Sequence, residues 1–151
     1  MALDVLLAAL HHICVFGLFG ILAAEMVLVR PGISAESVVR VVRIDLFYGI
    51  LAGLALIAGG LRVIYGAKGA EFYTQNPVFW TKLGLFVLIG ILSLPPTRNY
   101  IRWRNALRNN PNATPNPVSI QATRNWIHIE LVLIFLLPLL AAMMARGIGL
   151  G

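Results

Sequence analysis

The chain has 151 residues, of which 59% are hydrophobic and only 12% are charged, and its formal net charge is +6. A soluble domain carries about 25% charged residues, so this composition excludes an ordinary water-soluble domain. The positive charge does not indicate nucleic-acid binding, because the cationic residues stand at the ends of apolar segments, where they orient a membrane protein and meet anionic lipid head groups.

Four long apolar segments follow one another along the chain: Leu3–Val29, Ile44–Val63, Val78–Leu94 and Ile127–Ala145. A bilayer core about 30 Å thick is crossed by about 20 apolar residues in a helix. The sequence therefore predicts an all-α, polytopic membrane four-helix bundle, with residues 1–151 forming a single four-span domain. Asp4 stands where a signal peptide would be basic, so we expect the first segment to be retained as a span.

The connections carry local signals for where helices begin and end. Arg30 is followed by Pro and Gly, which end the first helix. Ser34 is a suitable N-cap, so the second helix should begin near Ala35. The tyrosines of the second connection, together with Trp80, are typical of an aromatic belt at a membrane surface. Pro138 predicts a kink in the fourth helix.

The third connection begins at Pro95 and contains several arginines and no acidic residue. Tyr100, Ile101, Trp103 and Leu107 recur among these arginines. This pattern predicts a short amphipathic surface helix between helices three and four.

The distribution of positive charge predicts the orientation in the membrane. The first and third connections lie on one side and hold eight arginines, Arg30, Arg40, Arg43, Arg98, Arg102, Arg104, Arg108 and Arg124. The opposite side holds Lys68 and Arg146. By the positive-inside rule, both termini lie outside the cytoplasm.

Two pairs of small residues have the spacing that allows helices to approach closely, Gly49 with Gly53 and Gly20 with Ala24. They can equally reflect the general frequency of glycine in membrane helices, and both interpretations remain open.

Ionisable residues at membrane depth are functional candidates, because a charge there is costly. The apolar segments and their margins contain eight: His11, His12, Glu25, Asp45, Arg62, Lys82, His128 and Glu130. His12 and His128 each lie about 13 Å from opposite membrane surfaces. In a core about 30 Å thick, the two histidines should therefore lie at nearly one level.

One hypothesis for this group is a b-type haem site. His12 and His128 would be the axial metal ligands, Arg62 and Lys82 would bind the propionates, and Glu130 would be a catalytic, proton-handling group. His128 and Glu130 are about 200° apart around their helix, so both cannot face one narrow bundle. His11 and His12 are about 100° apart, and which of them faces the bundle stays open. The histidines can also serve packing alone.

The second hypothesis is a small transporter or ion-conducting subunit centred on Glu130 and Lys82. The same residues can instead form a structural salt bridge between helices. Nearer the arginine-rich side, Glu25 and Asp45 are expected to pair with arginines at the helix ends, namely Arg30, Arg43 or Arg98.

Several segments resemble one family of small bacterial membrane proteins. They are LFYGILAG from Leu46, GLRVIYGAKG from Gly60, NPVFWTKLGLF from Asn76 and LPPTR from Leu94, with the histidines of helices one and four. On these residues the chain resembles domain of unknown function 2214, over nearly its whole length. The resemblance implies a four-span inner-membrane protein and supplies no activity. His12, Trp80 and Lys82 give a looser resemblance to the four-helix membrane protoporphyrinogen oxidases, although the spacing departs from that family.

The sequence thus favours a small inner-membrane protein that is a b-type haem or quinone-linked redox component. A transporter and a non-catalytic accessory subunit are the alternatives, and whether the chain is an enzyme stays open. The expected partners are the lipid bilayer, further copies of the chain in a homo-oligomer, and a quinone or other small-molecule ligand.

Overall fold

The computed structural model describes residues 2–148, which form seven α-helices and no strand. Their bounds are α1 Ala2–Leu28, α2 Ala35–Tyr65, α3 Gly69–Thr74, α4 Pro77–Leu92, α5 Leu94–Asn109, α6 Pro117–Ile134 and α7 Leu136–Ala145. Helices α4 and α5 join into one long segment, as do α6 and α7, so that four helices of the described chain are long and apolar enough to cross a membrane. The predicted all-α fold with four spans is confirmed.

The helix starts follow from short polar side chains that accept from the first free backbone N–H groups. Ser34 Oγ accepts from the backbone N–H of Ser37 at 3.2 Å, and α2 begins at Ala35, as predicted. Asn76 and Asn116 cap α4 and α6 in the same way. In both cases a proline follows in the first turn, where its missing N–H costs nothing.

Two interruptions divide the third and fourth spans. Pro138 has no N–H for the carbonyl of Ile134, and the helix is broken at Phe135, between α6 and α7. The interruption lies in the turn where Pro138 was predicted to disturb the helix. A second break at Ser93 precedes Pro95, and the chain continues as α5.

Helix α5 is the predicted amphipathic helix, and one of its faces is buried in the bundle. Pro96, Tyr100 and Trp103 are buried on this face. Trp103 Nε1 donates to Ser119 Oγ at 3.1 Å, which ties α5 to α6. The aromatic residues that were expected at the membrane surface therefore pack inside the protein.

The four spans run up and down, so the bundle has two distinct ends. One end, here called the α3 end, holds α3, the start of α1 and the end of α7. Lys68 Nζ donates to the Ala145 carbonyl there at 3.3 Å. The other, the arginine end, holds the connections 29–34 and 110–116. Between the ends, Leu18, Leu22 and Ile127 are among the buried core residues.

The close approach of α1 to α2 depends on glycines other than the predicted pairs. Gly49, Gly53 and Gly20 have no neighbouring atom within 4 Å of an added Cβ. A Cβ at Gly17 would lie 2.8 Å from Leu51 Cδ1. The predicted pairs do not mediate contacts within the described bundle, because they occupy its outer face.

Candidate functional site

A cavity of about 620 Å³ lies near the α3 end, between α1, α2, α4 and α7. Small residues on two of the helices leave this space, Gly59 and Gly60 on α2 and Ala141 and Ala142 on α7. Most of the lining is apolar and includes Phe16, Phe79, Leu83, Phe86, Leu137 and Pro138. Its volume lies within the range of about 300–1,000 Å³ that is usual for small-molecule sites.

All charged side chains that line the cavity are cationic, and two histidines lie among them. His11, His12, Arg62, Lys68 and Lys82 line it, and no Asp or Glu of the described residues does. Lys68 is already satisfied, since its ammonium group donates to the Ala145 carbonyl and lies 4.2 Å from the centre of the Phe72 ring.

Arg62 and Lys82 are the two cations of the cavity that lack such partners. Both side chains are half-buried, and neither forms a hydrogen bond or an ion pair with residues 2–148. Arg62 Nε is buried without a hydrogen-bond partner in the described structure. Because a desolvated cation is costly unless it is paired, these two groups are suited to bind an anion.

His11 is the histidine that faces the bundle. Its Nδ1 lies 2.9 Å from the Ala55 carbonyl oxygen of α2. A carbonyl can only accept, so Nδ1 is the donor, and in the neutral imidazole Nε2 is then the free acceptor. Gly59 makes room for this arrangement, because a Cβ there would lie 3.3 Å from the His11 ring. His12 is exposed, and its Nδ1 is hydrogen-bonded to the Ala8 carbonyl oxygen one turn earlier in α1.

The structure brings together only part of the group that the sequence singled out. His12, Arg62 and Lys82 line one cavity, while His128 and Glu130 of α6 do not. Helix α6 turns Glu130 into the bundle, where it is 1% exposed, and leaves His128 exposed. The two histidines proposed as axial ligands therefore do not share this cavity.

A second polar group lies nearer the arginine end and consists of carboxyl groups held by hydroxyls. Tyr100 donates to Glu25 at 3.0 Å, Thr97 donates to Asp45 at 2.8 Å, and Tyr48 lies 3.4 Å from Glu130.

The expected ion pairs of these carboxyl groups are not formed. Glu36 with Arg40 is the one ion pair in residues 2–148. The arginines expected as partners, Arg30, Arg43 and Arg98, are exposed. Long arginine side chains extend toward the polar surface, whereas Glu25 points into the core. The predicted pairing of Glu25 and Asp45 with arginine is therefore wrong, and Lys82 forms no salt bridge with Glu130.

Sequence reasoning missed the His11–Ala55 contact and the role of Gly59. Both depend on how α1 and α2 are aligned, which no local pattern specifies. The number of small residues between Ala55 and Gly60 was the available signal, because close helix approach requires them.

The fold and its four apolar spans define a multi-pass helical membrane protein. Its family is shown by a family model described as "Predicted membrane protein (DUF2214)", which matches residues 3–149. The chain belongs to this family, as its sequence motifs predicted. No curated protein and no solved structure matches the chain significantly.

Proposed function

We propose that the protein binds an apolar molecule with an anionic group, such as a carboxylate or a phosphate, in the cavity at the α3 end. The observation that carries this proposal is the composition of the lining, in which an apolar wall surrounds Arg62 and Lys82 and none of the described lining residues is acidic.

Both parts of such a ligand have a matching surface. The apolar part would lie against the phenylalanines and leucines of α4 and α7, where burial of apolar area is favourable. The anionic group would accept hydrogen bonds from Arg62 and Lys82, which otherwise have none from the described residues. Charge-assisted hydrogen bonds of this kind are roughly twice as strong as neutral ones.

An uncharged ligand is less complementary to the charges of this cavity. A quinone has an apolar body, but its carbonyl groups leave the charges of Arg62 and Lys82 without a counter-ion. The anionic ligand is therefore preferred over the quinone.

Within the anionic class, haem b is the ligand that also uses His11. A ligating histidine usually donates its other ring N–H to a carbonyl or carboxylate, and His11 has this arrangement with Ala55. The haem propionates would meet Arg62 and Lys82, and an imidazole of the cavity would bind the iron. We assign that role to His11, with His12 as the neighbouring alternative, in place of the pair His12 and His128.

The first test compares oleate with methyl oleate, which share a tail and differ in charge. Binding is measured on the protein in lipid nanodiscs. We expect oleate to bind more tightly, and expect Lys82→Met or Arg62→Met to reduce the difference in affinity, because each removes one of the two cations. Loss of one hydrogen bond to a charged group is worth about 1.5–3 kcal/mol, which is roughly 10- to 150-fold in affinity.

The matched control is Arg40→Met, which removes an exposed cation of α2 outside the cavity. It should leave oleate binding unchanged. Equal affinity for oleate and its methyl ester in the native protein would contradict the proposal, and so would equal effects of the three substitutions.

The second test concerns haem. Protein produced in cells with ample haem should show a sharp Soret band that shifts on reduction. His11→Ala should change or remove this band, and His128→Ala should leave it unchanged. A colourless protein, or a band lost only in His128→Ala, would reject haem in this cavity without affecting the oleate result.

We also propose that the arginine end faces the cytoplasm of a bacterial inner membrane, because exposed Arg40, Arg43, Arg98 and Arg102 cluster there. A cysteine placed at Asn112 should react with a membrane-impermeant thiol reagent only after the cells are opened. Labelling in intact cells would reverse the orientation.

A further inference from the structure

A layer of three carboxyl groups and two tyrosines crosses the core toward the arginine end. Glu25 comes from α1, Asp45 and Tyr48 from α2, Tyr100 from α5 and Glu130 from α6. Glu25 and Glu130 are 2% and 1% exposed. Thr97 and Tyr100, which hold Asp45 and Glu25, lie one turn apart on α5. Asp45 and Tyr48 lie one turn apart on α2, and Tyr48 faces Glu130, so the three acids are neighbours in the fold.

Two oxygens in this layer have no partner. Glu25 Oε1 and Glu130 Oε1 are buried and receive no hydrogen bond from residues 2–148. Their other oxygens face hydroxyl groups, Tyr100 in one case and Tyr48 in the other. A hydroxyl group cannot neutralise an ionised carboxylate, so the negative charge of the layer has no counter-charge there.

The cations of the surrounding elements do not supply it. The guanidinium group of Arg124 of α6 donates to the carbonyls of Met26 and Val29 at the end of α1. Arg104 of α5 is half-buried, and its Nε has no hydrogen-bond partner, but it forms no ion pair with the described residues. Arg43 and Arg98 are exposed. Lys82 of α4 lies at the other end of the bundle, in the cavity. The described part of α7 contains no titratable residue.

A metal ion is not the natural counter-charge either. The described residues contain no group of three or more His, Cys, Asp or Glu side chains in an arrangement that could hold a metal ion. Several like charges in one buried site cannot all stay ionised, and an isolated carboxylate in an apolar medium becomes neutral instead. We therefore take protons to be the species that neutralises these carboxyl groups.

We propose that Glu25, Asp45 and Glu130 form a proton-binding site inside the membrane-spanning bundle, which protons reach from the arginine end through Asp45. Asp45 is half-buried and hydrogen-bonded to Thr97, whereas Glu25 and Glu130 are fully enclosed. The access of protons to the carboxyl groups therefore decreases from Asp45 toward Glu25 and Glu130. In this proposal Glu130 holds the innermost proton.

The site is closed toward the cavity at the α3 end. Tyr48 and Ala55 lie on one face of α2, seven residues apart, which is about 10 Å of helix. Leu18, Ile89 and Ile134 are buried apolar residues of the core. No residue of α2 between Tyr48 and Ala55 is titratable. The proton site thus stands apart from the ligand cavity, and either can fail while the other is upheld.

Infrared spectroscopy of the protein in lipid measures this protonation directly, because a protonated carboxyl group has a carbonyl stretch that shifts in D₂O. We expect such a band at neutral pH. Glu130→Gln and Glu25→Gln should each remove one component of it, while the side chain keeps nearly the same size. Glu36→Gln is the matched control, since Glu36 is exposed and paired with Arg40, and should leave the band unchanged.

Three results would overturn the proposal. One is the absence of a protonated carboxyl band from the native protein at neutral pH. This test requires only the native protein. The second is a band that none of the substitutions, including Asp45→Asn, reduces. The third is a band that disappears when sodium ions are added, which would make the layer a cation site instead.

Discussion

The hydroxyl group of Tyr100 holds Glu25 inside the bundle, and Tyr100→Phe removes that contact while it keeps the ring. Tyr100 is 0% exposed, and its hydroxyl donates to Glu25 Oε2 at 3.0 Å. Because Glu25 Oε1 has no hydrogen-bond partner among the described residues, the substitution leaves the whole carboxyl group unpaired. Hydrogen bonds between membrane helices are worth about 0.6 kcal/mol on average and about 1.7 kcal/mol at most.

We expect Tyr100→Phe to lower the free energy of unfolding by about 1.5 kcal/mol, near the upper limit, because the acceptor is buried and has no alternative donor. The ring stays in place against Trp103, with centroids 5.7 Å apart, so little packing is lost. Unfolding of the purified protein in mixed micelles, followed by circular dichroism as the denaturing detergent is increased, measures the change.

Two further substitutions make the measurement specific. Tyr48→Phe should cost less, since its hydroxyl lies 3.4 Å from Glu130. Tyr73→Phe should cost almost nothing, because its ring is also buried but its hydroxyl forms no hydrogen bond with the described residues. If Tyr100→Phe proved no more harmful than Tyr73→Phe, the buried contact with Glu25 would not stabilise the fold.

Four other substitutions test helix packing and capping, each by the same unfolding measurement. Gly60→Ala should stabilise α2 by up to about 1 kcal/mol, whereas Gly59→Ala should lose that gain because its Cβ would lie 3.3 Å from the His11 ring; equal effects would disprove the close approach. Ser34→Ala should cost about 1 kcal/mol through loss of the N-cap, and an unchanged stability would mean that the cap contributes nothing. Leu18→Ala, at a residue 1% exposed, should cost about 2–5 kcal/mol, and a smaller loss would indicate a loosely packed core.

The four spans, the start of α2 and the break near Pro138 could be predicted from the sequence, because each has a local cause. Apolar length determines which segments can cross a bilayer. Ser34 needs only the backbone three residues ahead of it, and Pro138 disturbs only the preceding turn. None of these features depends on how distant helices are aligned.

The direction of each polar side chain could not be predicted, because it depends on helix rotation and alignment. Adjacent residues differ by about 100° around a helix, and both His11 and His12 fit the hydrophobic pattern. The structure turns His11 inward and His12 outward, and turns Glu130 inward and His128 outward. Of the proposed pair of axial ligands, His12 lines the cavity at the α3 end and His128 does not.

The partners of the buried acids were missed for a related reason. Arginines close to Glu25 and Asp45 in the predicted connections suggested ion pairs. The tyrosine that pairs with Glu25 lies 75 residues away in α5, in a segment expected on the membrane surface. Only the packing of α5 against the bundle brings the two together.

Photolabelling with a fatty acid that carries a diazirine in its tail tests the central claim, that the cavity holds an apolar molecule by its anionic group. In native protein the label should be attached to cavity residues such as Leu83 and Leu137. Lys82→Met should lower the extent of labelling at these residues. The outer residues Phe47 and Val132, which are 53% exposed, should be labelled weakly and without regard to Lys82. Equal labelling of cavity and outer residues, unaffected by Lys82→Met, would contradict the account.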